Sequence, residues 1–298
     1  MFKSVGIIAK AKVENLGKIV LELVKYLKDK KIDVVLGDEI AKAVGKRNGI
    51  ERSEIAKYVD LIIVLGGDGT FISAARSVSE HGSDIPILGI NLGRMGFLTE
   101  VPLSNMYSIL DDIFLNNSYK IENRMMIDAE LYLGSNVYKK SFFNDVAINN
   151  GALARIIGIK THIIMNNVKH FLAVFHADGL IVSTPSGSTA YSLSAGGPIV
   201  YPTLDCFIIT PICPHTLSNR PLVIPKDAQL IIELEEDVSN IMITLDGQIG
   251  FRMDRKDKII LKKSNKIIRI ITSKDKNYFD ILRTKLGWEE RKIRKVKC

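Results

Sequence analysis

The chain has 298 residues, 46% hydrophobic and 25% charged, with 41 Lys and Arg against 33 Asp and Glu and a formal net charge of +8. That length is enough for two domains with full cores, and the balance of apolar and charged residues excludes a disordered or fibrous chain. The positive charge points to an anionic partner, either nucleic acid or a phosphorylated small molecule.

Lys and Arg are spread along the chain, and the one dense basic run, residues 291–297, reads as a solvated tail. Nucleic acid is therefore not the expected partner. Cys206, Cys213 and Cys298 form no CxxC pair, which argues against a disulfide framework or a zinc site and suits a reducing cytoplasm. The first ten residues return to charge too soon for a signal-peptide core. The charge-free run 179–204 is broken by Ser, Thr, Gly and Pro, so no membrane association is expected.

Residues 4–9 read as a strand, and Leu16, Ile19, Val20, Leu23, Val24 and Leu27 line one face of an amphipathic helix over 13–30. A strand over 32–36 and a short helix over 50–58 follow. Five apolar residues, Leu61 to Leu65, then run into Gly66, Gly67, Asp68, Gly69 and Thr70, the pattern of a strand buried on both faces and closed by a turn. The glycines let the backbone bend and let a ligand approach it, and Thr70 is placed to cap a following helix. Strand, turn and helix start make a place where backbone N–H groups meet phosphate, with Gly66, Gly67, Gly69 and Thr70 positioning it. A strand over 86–90 ends in a second glycine-rich turn, 93–96, and a helix over 103–116 closes this half. Alternating strands and helices predict a Rossmann-like α/β domain over 1–121, its parallel sheet carrying both turns at strand carboxyl ends.

Beyond residue 121 the pattern changes to short alternating segments at 126–133, 137–148, 156–165, 168–174, 229–235, 241–245, 258–261 and 267–271. Residues 134–136 and 166–167 supply hairpin turns. These segments predict an antiparallel β-sandwich domain over 122–272. Residues 278–286 regain helical spacing, and the segment 273–298 is expected to fold back on the first domain.

Neither common nucleotide fingerprint is present: Ile72 stands where G-x-G-x-x-G needs its third Gly, and no G-x-x-x-x-G-K-[ST] occurs. Asp68 is then either a turn-former or a carboxylate beside a phosphate site, placed to take a proton from an attacking hydroxyl. Seven Ser and Thr residues fall within 183–194, with Tyr191 among them and no charge. As an ordered loop this stretch can hydrogen-bond a ribose, an amide or a base edge. Asn144 and Asp145 set an amide beside a carboxylate, while Asp246, Gly247 and Gln248 read as a hairpin turn. His81, His162, His170, His176 and His215 show no metal-ligand spacing, and His176 stands two residues before Asp178.

The turn at 66–70, the Asn144–Asp145 pair and the stretch 178–198 together resemble the signatures of the NAD kinase family. Residues 214–218 and 284–288 are similar to bacterial members, so the resemblance covers nearly the whole chain. The glycine turn alone is shared with diacylglycerol, sphingosine and phosphofructokinase-type kinases; its combination with the long second stretch is specific. The resemblance implies an α/β domain followed by a β-sandwich, and transfer of the ATP γ-phosphoryl group to the 2′-hydroxyl of the adenosine ribose of NAD, giving NADP. It implies a divalent cation, Mg²⁺ or Mn²⁺, polyphosphate as a donor for some members, and a cytoplasmic homodimer or homotetramer. By position it makes Asp68 the proton acceptor and, with Gly69, a substrate contact. It adds Asn144, Asp145, Asp178, Thr189, Ala190, Tyr191, Ser192, Leu193 and Ser194 as NAD contacts, with Arg155, His176 and Gln248 as further ones, and assigns no metal ligand. The family usually has Glu where this chain has Asp145, a stem one CH₂ longer. The competing readings are a lipid or sugar kinase sharing the glycine turn and a non-catalytic NAD-binding module.

Overall fold

The computed structural model describes residues 2–10, 13–46, 48–81, 84–151, 156–216, 218–237, 240–274 and 277–288. The chain first runs through β1 (Ser4–Ala9), α1 (Leu16–Asp29), β2 (Asp33–Leu36), α2 (Asp38–Ala43), β3 (Leu61–Leu65), α3 (Asp68–Glu80), β4 (Ile87–Asn91), β5 (Val101–Pro102) and α4 (Met106–Phe114). Strands then dominate: β6 (Lys120–Leu133), β7 (Asn136–Phe142), β8 (Asp145–Asn150), β9 (Ile157–Met165), β10 (Val168–Ala177) and β11 (Gly179–Ser183). After the short α5 (Tyr191–Ser194) come β12 (Cys206–Ile212), β13 (Leu222–Pro225), β14 (Gln229–Leu234), β15 (Ile241–Leu245), β16 (Ile249–Met253) and β17 (Lys258–Thr272). Helix α6 (Tyr278–Leu286) is the last described element. These fall into two compact units, one made of Met1–Ser77, Ile85–Glu122 and Arg269–Cys298, the other of Val78–Asp84 and Asn123–Ile268.

In the first unit the strands are parallel in the order β2-β1-β3-β4, with Ile270 and Ile271 of β17 beyond β4. All five residues of β3 are buried, as expected for a strand covered on both faces. Ala9 pairs with Leu65 and Leu65 with Ile90, so β1, β3 and β4 end at one edge. Both glycine-rich turns leave from that edge, where open α/β sheets bind ligands. Helix α1 buries Leu16, Val20, Leu23, Val24 and Leu27, the stripe that its spacing predicts. Helix α6 starts with a reciprocal cap between Asn277 and Asp280 and stops at Gly287, whose φ of 68° suits only a residue free to adopt a left-handed backbone. It returns to this unit, where Lys285 Nζ donates to the carbonyl of Met95 at 2.8 Å.

Among the described residues the second unit holds two antiparallel arrays. One is the sheet β13-β12-β11-β8-β15-β16. The other contains β10-β9-β14-β17 and the β6–β7 hairpin. Ile148, Leu180 and Phe207 from the first pack in one core with Ile159, Leu230 and Leu261 from the second. That is the sandwich expected from the alternating pattern. No helix among the described residues is long and apolar enough to cross a membrane.

Several local expectations change. The helix after the glycine turn starts at Asp68, so Thr70 lies inside its first turn and does not cap it. The Thr70 hydroxyl packs back on Gly66, where an added Cβ would sit 2.8 Å from Oγ1. None of Gly66, Gly67 and Gly69 has a positive φ, so the turn uses glycine for space and not for a left-handed bend. The segment 137–148 divides into β7 and β8, broken at Phe143 and Asn144, and 258–261 joins 267–271 in the single strand β17. Helix α2 has only six residues, too few to display a stripe, and residues 52–57 form a 3₁₀ turn.

Candidate active site

In the first unit, Asp68 opens α3 at the carboxyl edge of the parallel sheet. Its carboxylate takes four donors from the second glycine-rich turn. Oδ1 accepts the N–H groups of Leu98 and Thr99, both at 3.0 Å, and the Thr99 hydroxyl at 3.1 Å; Oδ2 accepts the N–H of Phe97 at 2.8 Å. Asn91 shapes that turn: its amide nitrogen donates to the Arg94 carbonyl at 2.6 Å and the Thr99 hydroxyl at 3.1 Å, and its oxygen accepts the Gly93 N–H at 2.7 Å. Only glycine fits at position 96, because a Cβ there would lie 1.9 Å from Asp68 Oδ1. Oδ1 is thus filled, while Oδ2 with one donor keeps acceptor capacity for a hydroxyl. The Gly66 N–H is spent on the Ile90 carbonyl at 2.9 Å, but Gly67 and Gly69 border open space where a ligand can approach the backbone.

In the second unit, Asn144 and Asp145 form the corner where the chain leaves β7 for β8. Asp246, in the turn after β15, holds that corner: its carboxylate accepts the N–H groups of Phe143, Asn144 and Asp145 at 3.1, 2.7 and 3.3 Å. Its own N–H returns a bond to the Asp145 carbonyl at 2.8 Å. From the other side the Thr184 hydroxyl donates to the Phe143 carbonyl at 2.6 Å and the Thr184 N–H to the Asn144 carbonyl at 2.8 Å. A Cβ at Gly187 would sit 2.1 Å from the Asn144 oxygen. Asn144 Oδ1 is buried with no donor among the described residues, so a hydroxyl from a ligand has a place to bond. Burial first, then the charge of Asp246, pushes Asp145 up to about 7, against the pull of the Tyr191 backbone N–H.

The hydroxyl-rich stretch mostly bonds to itself. Ser188 Oγ donates to the Pro185 carbonyl at 2.7 Å and accepts the Val200 N–H at 3.1 Å. Thr189 Oγ1 donates to the Ser186 carbonyl at 3.3 Å, and Ser192 Oγ pairs with Thr210 Oγ1 at 2.9 Å. These hydroxyls build an ordered loop whose exposed parts are Tyr191 and Ser194.

An N-terminal ATP-NAD kinase domain model matches residues 5–119, and a C-terminal one matches residues 143–273. The NAD kinase of Geotalea daltonii is 44% identical over 290 residues, 97% of this chain and 100% of that protein. That of Geobacter metallireducens is 43% identical over the same shares. This chain belongs to the ATP-NAD kinase family. Its fold is that of yeast NADH kinase solved with NADH, with a TM-score of 0.86, 24% identity and coverage of 99% of this chain and 90% of the other. An NAD kinase from Archaeoglobus fulgidus solved with ATP gives a TM-score of 0.75 at 24% identity, covering 95% and 98%.

Among the residues expected to serve the ATP-NAD kinase reaction, Asp68, Gly69 and Thr70 share the first turn of α3. Asn144, Asp145, Tyr191 and the loop 184–194 converge in the second unit, and Gln248 is exposed in the same hairpin turn as Asp246. His176 and Asp178 are elsewhere. Ser183 of β11 pairs with Asp145, whereas Asp178 precedes the far end of that strand, about 17 Å away at strand rise. His176 is exposed, with Nε2 3.7 Å from Glu235. Arg155 lies outside the described residues. Asp246 was missed by the sequence reading; its only signal is the Asp-Gly pair of an ordinary hairpin. Among the described residues no three His, Cys, Asp or Glu side chains come together to hold a metal ion.

Proposed function

We propose that this chain is an NAD kinase in which Asp68 accepts the proton of the ribose 2′-hydroxyl as the γ-phosphoryl group of ATP is transferred to it. A ribose hydroxyl attacks poorly until its proton has an acceptor, and general-base help is typically worth about 10²–10⁴-fold. The observation that carries this reading is the set of four donors that fixes Asp68 and leaves Oδ2 with room for one more contact. The start of α3 offers its dipole to the phosphates, and the open space beside Gly67 and Gly69 leaves room for them to approach. The second unit supplies the dinucleotide contacts: Asn144 Oδ1 and Asp145 for ribose hydroxyls, and the Tyr191 ring and loop 189–194 for the base and amide. Arg155, His176, Asp178 and Gln248 are assigned to the remainder of NAD.

A divalent cation, Mg²⁺ or Mn²⁺, would be held by the triphosphate and would neutralise its charge, as Mg²⁺ commonly binds through phosphates and few protein groups. The protein acts in the cytoplasm as a homodimer or homotetramer. Matching of both domain models, over 5–119 and 143–273, favours this over a lipid or sugar kinase that shares only the glycine turn. Purified protein supplied with NAD or NADH, ATP or polyphosphate, and Mg²⁺ or Mn²⁺ should form the 2′-phosphorylated product, read with an NADP-specific dehydrogenase. No product in any combination would remove the proposal.

A further inference from the structure

The last helix meets the turn that holds Asp68, a contact to which the proposed mechanism gives no task. Helix α6 lies in the same unit as Asp68 and the turn at 93–99. Its Lys285 Nζ donates to the Met95 carbonyl at 2.8 Å and stands 5.4 Å from the centre of the Phe97 ring. Phe97 in turn donates its N–H to Asp68 Oδ2 at 2.8 Å. We infer that Lys285 is a positioning residue for phosphoryl transfer, which sets the turn at 93–99 and through it the carboxylate of Asp68. The inference rests on the kinase reading and deepens it by giving the C-terminal helix a part in holding the proposed proton acceptor.

The sequence of α6 puts Lys285 where it can do this. Ile281 and Leu282 are the buried residues of the helix. Lys285 follows them by four and three positions, so all three share one face. The reciprocal cap at Asn277 and Asp280 fixes where α6 begins, and Gly287 ends it two residues after Lys285. Lys285 itself is exposed, yet both contacts of its ammonium group fall on one turn.

That turn needs a hold at its middle. Asn91 ties its ends, at Gly93, Arg94 and Thr99, and a bond from the Gly96 N–H to the Thr99 carbonyl at 3.2 Å closes it. Residues 95–97 lie between and carry the Phe97 N–H that meets Asp68 Oδ2. Oδ2 keeps acceptor capacity for the ribose hydroxyl, so the Phe97 N–H limits the direction from which that hydroxyl can come. Gly96 adds no side-chain restraint of its own, because a Cβ there would strike Asp68. Lys285 grips the residues on either side of that glycine, with a charge-assisted bond to Met95 and its cation over the Phe97 ring. It supplies from outside the restraint that Gly96 lacks.

The test asks whether Lys285 acts through Asp68. Lys285→Met removes the charge and keeps an unbranched stem over Phe97, Lys285→Arg keeps a donor, and thermal unfolding confirms that each is folded. Hydrogen exchange of the Phe97, Leu98 and Thr99 amides should quicken about tenfold in Lys285→Met, while the amides of β1 and β3 keep wild-type rates. The kcat for NADP formation should fall about tenfold, with KM for NAD and for ATP within about twofold, since misplacing a reacting group costs rate and not binding. Lys285→Arg should recover most of that rate. Added to Asp68→Asn, Lys285→Met should cost less than about twofold more, because the two changes act on one carboxylate. Unchanged kcat or unchanged amide exchange in Lys285→Met overturns the inference and leaves the kinase reading standing. A further loss of about tenfold in the Asp68→Asn background overturns it too, because Lys285 would then act on the phosphates directly. Wild type that forms no NADP overturns both.

Discussion

Asp68 lies half-exposed at the head of a helix with four donors on its carboxylate. Asp145 in the other unit is buried beside a second carboxylate and takes one backbone N–H from Tyr191. The first environment complements a negative charge. The second holds its carboxyl neutral until about pH 7. Two copies of one side chain thus sit in opposite surroundings: on the proposed mechanism the first is the fixed proton acceptor, and the second is a buried group whose charge state follows its surroundings.

After the substitution of Asp68 itself, the largest effect is expected at Gly96. Gly96→Ala drives a methyl group to within 1.9 Å of Asp68 Oδ1, so the carboxylate must move. Displacement of this kind can cost about 10²-fold in turnover. Steady-state rates should show that loss in kcat, with little change in NAD affinity. Equal loss of affinity would mean that the turn serves binding and not chemistry.

Gly187→Ala probes the other unit. The new Cβ would meet the Asn144 carbonyl at 2.1 Å and force the corner open. We expect about 1–3 kcal/mol of lost stability, seen in urea unfolding, and weaker NAD binding by calorimetry. A variant with normal affinity would separate the corner from the dinucleotide.

Asp145→Asn tests the neutral acid through its pH dependence. An acid whose folded pKa is raised from 3.8 to about 7 contributes fully below about pH 4 and loses that contribution as pH climbs through 7. The Asn variant cannot ionise. Its stability relative to wild type should therefore improve from pH 4 to pH 8, by an amount on the order of a few kcal/mol. Parallel stability curves would refute the assignment of burial and Asp246 as the cause.

Much of this was legible in sequence where the signal is local. Five apolar residues ending in Gly-Gly-Asp-Gly marked β3 and its turn, and the spacing of Leu16 to Leu27 marked α1. What was not legible depends on residues far apart in the chain. Asp246 reads as a hairpin turn until its carboxylate is found on the amides of Phe143 to Asp145, about a hundred positions earlier. The Ser192 hydroxyl, expected among the NAD contacts, also bonds to Thr210, eighteen residues on, and composition gives no sign of that partner. Composition reveals that a stretch can hydrogen-bond, but only the folded path decides to what. Asp68 stands out in sequence as an acid within a glycine turn, while its four donors, some thirty residues ahead, have no sequence signal.

The smallest effect is expected at Ser192. Ser192→Ala leaves the buried Thr210 hydroxyl without its partner, costing about 1–3 kcal/mol of stability with turnover nearly unchanged. A large loss of kcat would show that the loop meets the substrate through the Ser192 hydroxyl and not through its backbone.

The most direct test is Asp68→Asn, followed by single-turnover NADP formation beside equilibrium NAD binding. The amide can still accept at one oxygen, so the turn at 97–99 keeps most of its anchor. We predict a turnover rate at least about 10²-fold lower with NAD affinity within a few-fold of wild type. A near-normal rate would contradict the account, because the proton of the ribose hydroxyl would then leave by another route.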